Sequence, residues 1–76
     1  MSESADLNAE IKKLTNETEQ LMATSSLDMA TAATLLERLR SCQDRAQHAG
    51  MNDSARQLRA AANHLAIRIN LEVESV

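Results

Sequence analysis

The chain carries one glycine and no proline, and the glycine sits between two helical patterns. Before Gly50, Ala32, Leu35, Leu39, Cys42, Ala46 and Ala49 recur at alternating steps of three and four. After it, Ala55, Leu58, Ala62, Leu65 and Ile69 do the same. Each is the spacing of a helix with one apolar face. Glycine adopts a left-handed backbone without the strain of a Cβ, so Gly50 marks the end of the first pattern. A short break between two such helices makes them antiparallel neighbours. An antiparallel hairpin is therefore expected, with Leu39 and Leu65 buried between its helices.

Upstream, Leu7, Ile11, Leu14, Thr18 and Leu21 step by four, three, four and three. This narrow seam has a threonine at one apolar position. It suits either the first helix of a bundle or a dimerising or partner-binding arm. Ser4 or Asp6 is the expected cap of this helix. Thr24, Ser25 and Ser26 interrupt the pattern, and Ser26 or Asp28 can cap the next helix, with Leu27 or Met29 over its first turn. Asn52 or Asp53 is the expected cap of the third. The fold expected is an all-α, small three-helix bundle in one domain, 1–76, with helices over about 5–24, 28–49 and 53–72 and frayed ends.

A chain of 76 residues with no Phe, Trp or Tyr buries little area, so its core is thin. That favours completion by a second copy or by another protein. The net charge of −3 is uneven. Glu3, Asp6, Glu10, Glu17 and Glu19 outweigh Lys12 and Lys13 in the first segment, while acids and arginines balance in the rest. Nucleic acid is thus an unexpected partner, since phosphate binding needs clustered cations and single strands need aromatic platforms. The arginines Arg56 and Arg59 read as a solvated face rather than a phosphate patch.

Catalytic chemistry has no obvious seat. Glu17 and Glu19, two apart, diverge on a helix. His48 and His64 belong to different helices, and no paired Cys or His spacing for zinc occurs. Cys42 falls on the core seam, where burial suppresses thiolate. One glycine cannot build a phosphate-cradling loop. A non-enzyme without cofactor or metal is expected. A single Cys, no apolar run near the roughly 20 residues of a membrane span, and no basic-then-apolar opening lead to an expected cytoplasmic location.

The third helix has a second apolar side. At roughly 100° per residue, Ile67 and Leu71 point away from Leu58, Leu65 and Ile69, together with Ala60 and His64. Such an end offers a face to a partner, or is covered by the first helix. Ile67 and Leu71, with Leu7, Ile11 and Leu14 of the first seam, are the candidate partner-binding residues.

From Leu35 to Leu71 runs Leu-Glu-Arg-Leu-Arg-Ser-Cys, a short break, then Arg-Gln-Leu-Arg-Ala-Ala-Ala. This layout resembles the small co-chaperones of type III secretion systems, the YscE/PscE/SsaE type. The resemblance implies a hairpin that pairs with a helical-repeat chaperone and helps hold a needle subunit soluble. A phage- or plasmid-borne inhibitor and an antitoxin-like helical protein are the alternative readings.

Overall fold

The computed structural model describes residues 3–74. It is all-α. Three helices follow in order, α1 (Glu3–Met22), α2 (Met29–His48) and α3 (Asn52–Glu74). They form a rod of 45 × 16 × 16 Å. Among the described residues, no helix is long and apolar enough to cross a membrane.

The hairpin of α2 and α3 is the tightest pairing in the bundle. Its turn is built by Gly50, whose φ of +77° lies in the left-handed region. The Gly50 N–H donates to the Gln47 carbonyl at 3.1 Å, and the Met51 N–H donates to Ala46 at 2.9 Å. This is the paired closure of a Schellman motif, which satisfies carbonyls the helix leaves unpaired. Met51 packs against the core beside it. Ala32, Leu35, Leu39, Cys42 and Ala46 of α2 share one core with Ala55, Leu58, Ala62 and Leu65 of α3. Leu39 and Leu65 are both fully buried in the core that α2 and α3 share. Ala49 leaves the seam: it is the exposed C-cap residue of α2.

Asp28 caps α2. Its carboxylate accepts from the Ala30 N–H at 3.2 Å and the Thr31 hydroxyl at 2.7 Å. Leu27 packs on the core, whereas Met29 is more exposed. Asn52 and Asp53 do not cap α3; they lie in its first turn, and the carbonyl of Met51 accepts from Ala55 at 2.9 Å. The three-residue turn is too short to leave a polar residue outside the helix. Ser4 and Asp6 likewise lie inside α1, which begins at Glu3. α3 runs on to Glu74, past the expected stop at 72. Fraying is expected over 1–5 and after 72, but residues 3–5, 73 and 74 are helical, and residues 1, 2, 75 and 76 fall outside the described residues.

α1 lies along the hairpin and closes one core with it. Leu7, Ile11 and Leu14 are buried with the seams of α2 and α3. Two ion pairs give its direction: Arg45 to Glu10 at 2.8 Å and Arg38 to Glu17 at 3.1 Å. The acids and the arginines are each seven residues apart and pair in reverse order, so α1 runs antiparallel to α2. Thr18, the polar member of the seam, is buried and donates its hydroxyl to the Leu14 carbonyl at 2.8 Å. A threonine that bonds its own helix four residues back can enter a core without an unmet hydrogen bond.

Candidate protein-interaction site

The end of α3 is apolar on two sides, and only one side is covered. Leu58, Ala62 and Leu65 are buried, and Ile69 packs partly against the core. Round the helix, Ile67 is 57% exposed and Leu71 55%. The seat of α1 is the reason. Leu14 is fully enclosed, so the α1 seam fits the joint between α2 and α3 and does not extend around α3. Met22, the last residue of α1, reaches only the edge of the exposed side, bordering a small recess with His64, Ile67, Arg68 and Leu71.

Toward the turn, the same side of α3 continues as an open groove of about 430 Å³ between α1 and α3. Thr15, Glu19 and Met22 form one wall, and Gln57, Ala60 and His64 the other. The alanines keep this wall low.

The sequence-derived site residues therefore divide. Ile67 and Leu71 share one exposed face. Leu7, Ile11 and Leu14 do not join it, being 3%, 5% and 0% exposed in the core. Their packing within the chain is the bundle reading of α1 rather than the arm reading. Yet α1 does not cover Ile67 and Leu71 either: its seam had two apolar surfaces to choose from, and the hairpin joint buries Leu7, Ile11, Leu14 and Thr18 and partly buries Leu21.

Arg68 was not legible as part of this region. Its Nε donates to Glu72 Oε1 at 3.0 Å, and its two terminal nitrogens donate to the carbonyls of Met22 at 3.3 Å and Thr24 at 3.2 Å. α1 has no basic residue in its last turn. Arg68 supplies from α3 the cation that the negative end of α1 attracts, and it occupies carbonyls left open there. The missing cation in α1 and the Arg68–Glu72 spacing of four were the available signals.

Among the described residues, no three His, Cys, Asp or Glu side chains meet as metal ligands. His48 Nδ1 lies 2.8 Å from the Asp44 carbonyl oxygen on an exposed surface. Cys42 is buried, and that burial, assisted by the negative charge of Glu10, pushes its thiol pKa upward against the opposing pull of Arg45. A raised pKa keeps it protonated and unreactive. No protein-family model, curated protein or solved structure matches the chain.

Proposed function

We propose that the protein is a non-enzymatic helical interaction module, an adaptor or small chaperone working in the cytoplasm. Its binding surface is the exposed side of α3. The observation that carries this reading is the exposure of Ile67 and Leu71 on a helix already buried on its other side. Fully burying one such side chain is worth about 1.5–3 kcal/mol, so a protein that covers the cluster gains substantially. Clustered large aliphatics at a surface mark interaction sites, and anchors at 67 and 71 have the spacing of a helix that packs on a helix or in a groove.

The α2–α3 hairpin is also the element that supports the likeness to secretion co-chaperones. Under that reading, a helical-repeat chaperone and a needle subunit are the partners.

A photo-crosslinking residue at position 67, introduced into the chain in its source cells, tests the function. A product absent when the same residue is placed at Arg40, on the surface of α2, is the expected outcome. A helical-repeat protein in that product favours the chaperone, and a toxin or nuclease favours the inhibitor. Identical products from both positions would remove α3 as the binding surface.

A further inference from the structure

We infer that the exposed side of α3 is a homodimer seam, covered by α3 of a second copy running antiparallel. This rests on the interaction reading of the same face and names its occupant.

Ala60, His64, Ile67, Leu71 and Glu74 recur at four, three, four and three along that side. This is the spacing of a coiled-coil seam, separate from the one that forms the core. The stretch from His64 to Glu74 spans about 15 Å of helix at 1.5 Å per residue. Antiparallel pairing with Ile67 against Leu71 of the second copy also sets Leu71 against Ile67 of the second copy. One contact thus generates its own two-fold repeat, as a closed symmetric dimer requires.

The same register sets His64 against Glu74 of the second copy, twice. An imidazole N–H donates to a carboxylate in either protonation state of the ring. A parallel pairing would instead put Glu74 against Glu74 and His64 against His64. These polar ends of the seam favour the antiparallel direction over the parallel one. Arg68, already held by Glu72 and the end of α1, stays beside the seam. A contact confined to residues 64–74 of each copy is smaller than the roughly 800 Å² per partner of a standard interface, so the dimer dissociates on dilution.

Sedimentation across a micromolar to sub-millimolar series tests this on the full chain. The expected result is a monomer–dimer equilibrium. His64→Glu weakens it about fivefold, the scale of an exposed charge pair, and adding Glu74→Lys restores it. In a Cys42→Ala background, copies with Ile67→Cys and copies with Leu71→Cys form the mixed disulfide faster than either forms its own. A chain monomeric throughout, a preference for like-with-like disulfides, or indifference to His64→Glu overturns the inference. A monomer that still gives a position-67 crosslink to another protein overturns the second copy alone and keeps the interaction reading. A monomer without any such crosslink overturns both.

Discussion

The guanidinium of Arg68 in α3 donates to the backbone carbonyl of Met22, the last residue of α1, at 3.3 Å. The contact joins the helix least tightly held in the bundle to the hairpin, at the end where α1 supplies no cation of its own. Arg68→Ala should destabilise by about 1–2 kcal/mol, the range for a charge at a partly buried helix terminus and its hydrogen bonds. The loss should be local. Limited proteolysis should cut the 23–28 connection faster in the variant, while the 49–51 turn keeps its wild-type resistance. Equal acceleration at both places would show that Arg68 does not act through α1.

Gly50→Ala should cost about 1 kcal/mol, because a Cβ is strained at positive φ. Apart from Gly50 and its two chain neighbours, nothing lies within 4 Å of the position that Cβ would take, so the cost is one of backbone conformation. Gly50→Asn, which tolerates the left-handed region better, should cost less. Thermal midpoints of the two variants check this, and an order reversed between them would count against the Schellman closure.

Leu39→Ala should cost roughly 2–5 kcal/mol, the span for a large-to-small change in a closed core. Leu39 has no exposed surface. A chain of 76 residues at 0.05–0.15 kcal/mol per residue has only about 4–11 kcal/mol in all. Urea unfolding should therefore show a variant near the edge of stability. A midpoint close to wild type would mean that the core collapses around the missing side chain.

Asp28 connects stability to acid pH. Hydrogen bonds from the Thr31 hydroxyl and then the Ala30 N–H hold its carboxyl below the ordinary value of 3.8. A depressed folded pKa means that the unfolded chain takes up the proton first. The stabilisation is therefore fully present above the ordinary value and is lost as pH falls through the lowered one. Asn caps a helix as Asp does but does not titrate. The midpoint gap between wild type and Asp28→Asn should thus narrow in acid. A gap constant from neutral pH to strong acid would separate the cap from the charge.

The three helices, their seams and the turn at Gly50 were legible in the sequence because each is a local property. Apolar spacing and a residue that accepts positive φ act within a few positions of themselves. Even the polar Thr18 keeps its place in the seam, since its hydrogen bond is to its own helix. The caps were less legible: Asp28 had room to act before α2, whereas the short turn at Gly50 drew Asn52 and Asp53 into α3. Tertiary structure alone decided where α1 lies. The Leu7–Leu14 seam is equally apolar toward either surface of the hairpin, and the 23–28 connection carries no periodic signal that chooses between them. The choice came from packing against two helices at once, with Glu10 and Glu17 meeting Arg45 and Arg38 across distances in sequence that no local pattern records. That packing buried Leu7, Ile11 and Leu14, brought Arg68 to the end of α1, and left Ile67 and Leu71 exposed at the surface.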